Sequence, residues 1–397
     1  MRINDVTRDR YHSLAISSAW RLDTVRSLRV LVVGAGALGN EVAKNLAMMG
    51  VKLIVVLDRD TVEVANLTRS VFFRESDHGR PKAEVMAAQL RALNPDVEVL
   101  PLVGGVDEVL GLGLLRRADM VFSCLDNRLA RRSVNRMCQK LGKPWVDGSM
   151  ENLLGDVTVF MPDSGPCYEC TLTRGERESI RQAILSCGVI ARRNLNLNRV
   201  PTISTMGSII GAMQVQEALR VVHGGEGEAE LAKKIVVNCT INDFYITRAA
   251  RRAECEGHFR YGEVTEVPEW GVESTSAADI LERFRVDTGA VGHLRLGRDI
   301  VIGLRCEDCK TEEDVGEPLI MLTVERATCA KCGKVREPIT EKVVRGDEPY
   351  ATRPLGRLGI PPLDILEARG GDRKIWYEFT GDLRALPEAL APAGAAG

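Results

Sequence analysis

RVLVVGAGALGNEVAKNLAMMG (residues 29–50) followed by LIVVLD (residues 53–58) is the stretch on which the fold turns. Arg29 to Val33 is a short, branched apolar run of the kind that forms a buried strand, and it stops at Gly34. Behind the glycines, the apolar positions of NEVAKNLAMMG recur at helical spacing up to Gly50. Leu53 to Leu57 then reads as a second buried strand ending on Asp58. Strand, glycine turn, helix and strand make a βαβ crossover, and such a crossover joins parallel neighbours.

Outward from that unit, VEVLPL (97–102), MVFSC (120–124), PWVD (144–147) and DVTVFM (156–161) are further buried-strand candidates. KAEVMAAQLRAL (82–93) is a helix among the earlier ones. The alternation predicts an α/β domain, doubly wound and Rossmann-like, with a mostly parallel sheet. STMGSIIGAMQVQEALRVVH (204–223) is a long helix with Gly224 as its stop, and KIVVN and DFYIT come after it as strands. From about Arg260 the texture changes to short strands (DIVIGL, PLIMLTV, KIWYEF), loops and one clear helix. Ser276 with Asp279 three residues on marks the start of that helix. The chain thus divides into an α/β domain over 1–261, a small α+β module over 262–385 and an Ala/Pro/Gly-rich tail over 386–397.

Across 397 residues, Lys+Arg 53 against Asp+Glu 55 leaves a formal net charge of -2. A content of 45% hydrophobic and 27% charged residues is ordinary for soluble domains. The balance excludes a generally basic nucleic-acid coat and a long acidic tail. No run of about 18 apolar residues exists to span a membrane. MRINDVTRDRYH at the start mixes charges and lacks an apolar signal core, so the expected compartment is the cytoplasm. In that reducing setting, 11 cysteines point to metal binding or chemistry rather than disulfides.

Gly34, Gly36 and Gly39 let a backbone come close to a phosphate at a helix N-terminus, and Asp58 can bind ribose hydroxyls. On those features alone the default is an NAD-dependent dehydrogenase. The residues downstream of Asp58 change that reading. DRDTVEVANLTRSVFF (58–73) supplies Asp60, Asn66 and Arg69; GRPK (79–82) supplies Lys82; CLDN (124–127) supplies Asp126 and Asn127. Asn66, Arg69 and Lys82 can donate to a polyphosphate, and Asp126 can hold a magnesium ion. A dinucleotide needs no such collection. A metal-bearing triphosphate does, because its charge must be neutralised for attack at phosphorus.

In that order and spacing, from about Val30 to Asn127, the chain resembles the ubiquitin-activating superfamily, which includes the bacterial ThiF, MoeB and HesA proteins. The family pattern runs G-x-G-x-x-G, D-x-D-x-V-x-x-x-N-L-x-R-Q, G-x-x-K and D-N, with Ser70 here in place of the usual glutamine. The likeness continues through Gly148, Gly155, Gln214 and Glu217. The resemblance implies that Asp58 binds the ribose of ATP, that Asn66, Arg69 and Lys82 contact its phosphates, and that Asp126 supports Mg2+. It also implies a homodimer, and a partner in the form of a ubiquitin-like or sulfur-carrier protein whose C-terminal glycine is adenylated. One departure stands out. The family's N-terminal Arg-Tyr-x-Arg-Gln carries an arginine that reaches the partner subunit's site, and here the matching run is Arg10-Tyr11-His12-Ser13. Arg8, Arg10 and Arg21 are the available substitutes.

Cys167-Tyr-Glu-Cys170 comes after a Gly-Pro turn, and Cys255-Glu-Gly-His258 lies far downstream; two such pairs can complete one tetrahedral zinc site. The resembled family commonly has Cys-x-x-Cys in both places, and zinc accepts the histidine. Cys306-Glu-Asp-Cys309 and Cys329-Ala-Lys-Cys332, separated by 19 residues, have the spacing of a zinc ribbon. Four protein ligands leave no open position, so both sites read as structural. Redox dithiols are the competing reading. Cys124, Cys138 and Cys239 lie in apolar or helical surroundings and read as small buried residues. Cys187 instead precedes Gly188, with Arg192 and Arg193 nearby, and cationic neighbours raise the thiolate fraction. In the resembled family this crossover segment carries the cysteine that takes the acyl group, which makes Cys187 the expected nucleophile and RRNLNLNR (192–199) a lid.

The module over 262–385 has its own zinc site but no rhodanese-like cysteine loop. It also lacks the basic and aromatic stripe of a nucleic-acid binder. A ubiquitin-like fold that recruits a conjugating enzyme suits it, and this favours conjugation. A sulfur-carrier adenylyltransferase of thiamine or molybdopterin type is the alternative.

Overall fold

The computed structural model describes residues 9–17, 19–162, 165–186, 201–224 and 233–390. Five strands pair in parallel in the order β3-β2-β1-β4-β5: β1 (Arg29–Val33), β2 (Leu53–Asp58), β3 (Glu98–Val103), β4 (Met120–Ser123) and β5 (Trp145–Glu151). Three more continue the sheet antiparallel beyond β5: β6 (Leu154–Phe160), β7 (Lys233–Asn238) and β8 (Asp243–Arg248). The parallel half is covered on both sides, as such sheets require. Val30 and Val32 point into a core shared with α1 (Ala37–Met49) and α2 (Lys82–Leu93). Leu31 and Val33 point into a second core with α3 (Leu112–Arg117) and α4 (Arg128–Leu141). α5 (Ser204–His223) also covers the first face and ends at Gly224, whose φ of 59° is the left-handed stop its position implied.

β1 lies between β2 and β4, so the crossovers leave it in opposite directions. That switch point opens a crevice at the C-terminal ends of β1 and β4, where doubly wound sheets take ligands.

Beyond it the chain builds a second, six-stranded sheet, in the order β11-β10-β13-β14-β9 with β12 also on β10. Its strands are β9 (Val264–Glu266), β10 (His293–Cys306), β11 (Thr311–Pro318), β12 (Glu337–Val344), β13 (Ile365–Gly370) and β14 (Arg373–Glu378). α6 (Ala277–Thr288) packs against it. Ser276 Oγ accepts from the Asp279 amide at 3.2 Å, and the Ser276 amide donates back to the Asp279 carboxylate at 2.8 Å.

Three expectations change here. PLIMLTV is not a strand: Leu319–Met321 is a 3-10 turn, and Thr323 caps the helical turn Val324–Ala327 by accepting from the Arg326 amide at 3.1 Å. The strand is TEEDVGEP instead. Its acids disguise it, yet Glu312 pairs with Arg305, and Glu313 with Arg326 and Arg336. A ubiquitin-like fold opens on a hairpin ahead of its helix, whereas one three-residue strand, β9, precedes α6 and pairs in parallel with β14. Finally, the packed chain runs past residue 385, because Ala389 and Leu390 are buried.

The two sheets share a core. Leu363, Ile365, Ala389 and Leu390 pack in one cluster with Leu110, Leu112, Leu115 and Val121. Asp364 accepts from the Leu112 amide at 2.8 Å. Glu378, wholly buried, accepts from Arg116 Nε at 2.8 Å and from Arg117. A Cβ at Gly113 would fall 2.4 Å from Glu378 Oε1, so α3 meets the second sheet without a gap. Deleting Glu378 would leave the buried Arg117 with the longer 3.8 Å pair to Glu266, and losing one partner of a buried ion pair costs about 3–5 kcal/mol. Glu378→Ala should therefore lower the stability of the full chain by that much, in equilibrium unfolding with an unchanged m-value. Among the described residues, no helix is long and apolar enough to cross a membrane.

Candidate nucleotide site and metal centres

The three glycines of the first turn are needed for different reasons. Gly34 has φ 101°, and a Cβ there would also lie 2.5 Å from the Cys124 carbonyl oxygen. A Cβ at Gly39 would lie 1.8 Å from the Gly34 carbonyl oxygen, so this glycine lets the helix close on the turn. Gly36 has nothing within 4 Å of its Cβ position. The protein does not fill that space, and a phosphate can come against the backbone there, ahead of the α1 N-terminus.

Asn40, fully buried, holds this turn in shape. Its amide donates to the carbonyls of Ala35 and Gly36 at 2.9 and 3.0 Å, and its oxygen accepts from the Phe72 amide at 3.0 Å. Sequence reading missed it, since an asparagine in a first helical turn has no pattern of its own.

Asp58 ends β2 beneath the turn. Its carboxylate accepts from the Ala35 amide at 2.6 Å and from the Asp60 amide at 2.7 Å. Burial pushes the Asp58 carboxyl above its ordinary value, and Lys82 and the two amides oppose that shift. Lys82, at the start of α2, lies 3.2 Å from Asp60 with its side chain 12% exposed. The 61–73 loop is tied to the same place, because the Val62 amide donates to Arg80 O and the Gly79 amide to Val62 O. Asn66 is buried and accepts from the Glu63 amide at 3.0 Å; Arg69 donates to the Ala65 carbonyl at 2.6 Å. Asp60, Lys82, Asp58 and the glycine turn are therefore one connected group. Arg69 lies on the loop that joins them through Asn40.

Asp126 comes three residues after β4 and is exposed, accepting a long 3.4 Å contact from Asn127 Nδ2. Asn127 itself caps α4, accepting from the Ala130 amide at 2.8 Å. An exposed carboxylate of this kind suits magnesium, which takes one or two protein carboxylates together with phosphates and water. Arg10, in contrast, donates to Asn94 beyond the far end of α2, where Tyr11 packs on Gly50. Arg21 donates through its backbone to His223, while Arg8 lies outside the described residues.

Cys187 and Arg192–Arg193 also lie outside the described residues. Both metal clusters are within them. The ligand atoms of Cys167, Cys170, Cys255 and His258 lie within 4.8 Å of one another, as do those of Cys306, Cys309, Cys329 and Cys332. Sulfur–sulfur distances are 3.9 and 3.7 Å from Cys167 to Cys170 and Cys255. In the second cluster they are 3.6 Å between Cys306 and Cys332 and 4.0 Å between Cys329 and Cys309. Tetrahedral bonds of about 2.3 Å to zinc put sulfurs about 3.8 Å apart, so both sets can hold that metal.

A family model described as the ThiF family matches residues 10–257. The chain belongs to the ThiF family. It is similar to a SAMP-activating enzyme E1 of Haloferax volcanii, 36% identical over 203 residues, which is 51% of this chain and 70% of that one. It is 30% identical over 235 residues to the molybdopterin-synthase adenylyltransferase of Escherichia coli, covering 59% of this chain and 88% of that protein. The adenylyltransferase and sulfurtransferase MOCS3 of Sus scrofa is 31% identical over 268 residues, 67% of this chain and 55% of that one. A solved structure of E. coli MccB with ATP has a TM-score of 0.48 at 22% identity, covering 59% of this chain and 68% of that chain. The relatives are named adenylyltransferases and activating enzymes, which leaves the alternative of an NAD-dependent dehydrogenase without support. The ThiF match stops at residue 257, ahead of His258 and of the whole second sheet.

Proposed function

We propose that this ThiF-family chain activates the C-terminal glycine of a ubiquitin-like protein with ATP, captures it as a thioester on Cys187 and passes it to a conjugating enzyme. The carrier's carboxylate oxygen attacks the α-phosphorus of ATP. The bond from that phosphorus to the bridging oxygen breaks, and pyrophosphate leaves with the electron pair. The nucleophile is already ionised at neutral pH, so no general base is needed. Lys82 and Arg69 meet the charge that grows on the phosphates, Asn66 donates to them, and Asp58 holds the ribose. A magnesium ion held by Asp126 would supply further positive charge to the phosphates. The Cys187 thiolate next attacks the acyl carbon and AMP departs, leaving a thioester.

The observation that carries this reading is the Asp58–Asp60–Lys82 group beside the open face of Gly36 at the switch point. The two cysteine clusters would be structural zinc sites. A symmetric homodimer is the assembly we infer, since one chain carries the nucleotide set. A second reading, a sulfur-carrier adenylyltransferase, draws support from the 88% coverage of the E. coli molybdopterin-synthase enzyme.

Pyrophosphate exchange against small proteins ending in Gly-Gly tests the adenylation; no exchange with any of them would refute it. Cys187→Ala separates the two fates. Exchange should continue at the parent rate, while the reducible carrier thioester on a non-reducing gel should vanish. A thioester that survives assigns the nucleophile elsewhere.

A further inference from the structure

We propose that Arg131 is the positioning residue of the nucleotide site, setting the Leu125–Asp126 turn, and that the Cys167–Cys170–Cys255–His258 cluster steadies it through Tyr168 and Glu169. This rests on the adenylation reading above and concerns how the exposed Asp126 is kept in place.

Arg131 stands in the first turn of α4, where the helix dipole disfavours a cation, and its side chain is only 13% exposed. Such placement is unfavourable unless specific contacts offset it. Three are made at once: Nε donates to Asp147 Oδ1 at 3.1 Å, and one terminal nitrogen donates to the carbonyls of Leu125 at 2.7 Å and Gly148 at 3.2 Å. Leu125 immediately precedes Asp126. Gly148 lies on β5, where Gln214 leaves no room for a Cβ, the nearest atom being 2.4 Å away. Asp147 is itself buried and accepts from Ser123 Oγ at 2.7 Å, while Gln214 donates to the Ser123 carbonyl at 3.0 Å. One guanidinium therefore ties the exit of β4 to the middle of β5. Lysine cannot reproduce that, because an ammonium is a point charge without a planar fork.

The metal cluster bears on the same side of α4, one turn further along the helix. Between Cys167 and Cys170, Tyr168 donates its amide to Asn135 Oδ1 at 3.0 Å, one helical turn on from Arg131. Glu169 accepts from Arg132 Nε at 3.1 Å and from Arg136 Nε at 2.7 Å. Ligands on both flanks of this dipeptide press it onto α4, so the chain of contacts runs from the cluster through α4 to the backbone that presents Asp126.

Calorimetric titration of the full-length, metal-replete chain with ATP, with and without Mg2+, reads the effect without turnover. The parent should bind ATP more tightly with Mg2+ than without. Arg131→Lys should erode that Mg2+-dependent gain by about 10–100-fold, the range for groups that orient a metal ligand, while metal-free ATP affinity holds. Asp126→Asn should lose the gain as well, and Arg131→Lys added to it should cost nothing more, since the two act in series. Should Arg131→Lys fail to fold, Glu169→Gln decides: with zinc content intact, a reduced gain supports the role and an unchanged one overturns it. A parent-like gain in Arg131→Lys, or independent losses in the double variant, would overturn the positioning role alone. A parent chain that binds no ATP would overturn the nucleotide reading and this role with it.

Discussion

Lys82→Ala should lower carrier-dependent pyrophosphate exchange by about 10²–10³-fold, the usual loss for one donor aimed at developing charge. The melting temperature should barely move, because an ion pair to an exposed Asp60 contributes little to stability. The large effect on rate has two sources. Lys82 is paired with Asp60 next to the carboxylate that holds the glycine turn, and it is also the counter-ion that opposes the burial of Asp58. Without it, Asp58 keeps only its two backbone amides and Asp60 only the exposed Arg59 at 3.9 Å, so both carboxylates repel an incoming triphosphate more strongly. Arg69→Ala should cost less, since that guanidinium already donates to Ala65 within its own loop. Exchange at the parent rate in Lys82→Ala would place the phosphates somewhere else.

The largest effect on stability should come from the Cys3His cluster. Zinc binding contributes about 10–16 kcal/mol in zinc-finger peptides, whereas whole domains are stable by about 5–15 kcal/mol. Cys170→Ser should lose one of two zinc equivalents and melt many degrees lower, because the cluster joins residues 167–170 to 255–258 across a long stretch of chain. Cys309→Ser should lose the other equivalent and leave exchange intact, since its cluster lies at the tip of the second sheet. Metal analysis together with thermal melting checks both. Zinc-free chain with undiminished stability would end the metal reading.

The parallel half of the sheet was legible because strands buried on both faces are written as unbroken apolar runs, as in RVLVV and LIVVL. The α2 and α5 boundaries were equally plain, the latter from Gly224. The second sheet was much harder to read. TEEDVGEP carries acids that face arginines, Glu312 across the ladder to Arg305 and Glu313 to Arg336, in place of an apolar alternation, and PLIMLTV is apolar yet turns because Thr323 caps the next helical turn. At the site, the charged residues could be found by motif. Asn40 and the Arg131–Asp147 pair could not, since their importance lies in contacts between segments far apart in the chain.

The boundary near residue 261 divides the sequence but not the hydrophobic interior. Severing the chain there would wet Leu110, Leu112 and Leu115 on one piece and Leu363, Ile365 and Leu390 on the other, so both fragments would tend to clump. The second sheet is thus a buttress moulded to the first. It cannot be swapped as a detachable cassette, and anything that docks on it keeps a fixed bearing on the glycine turn.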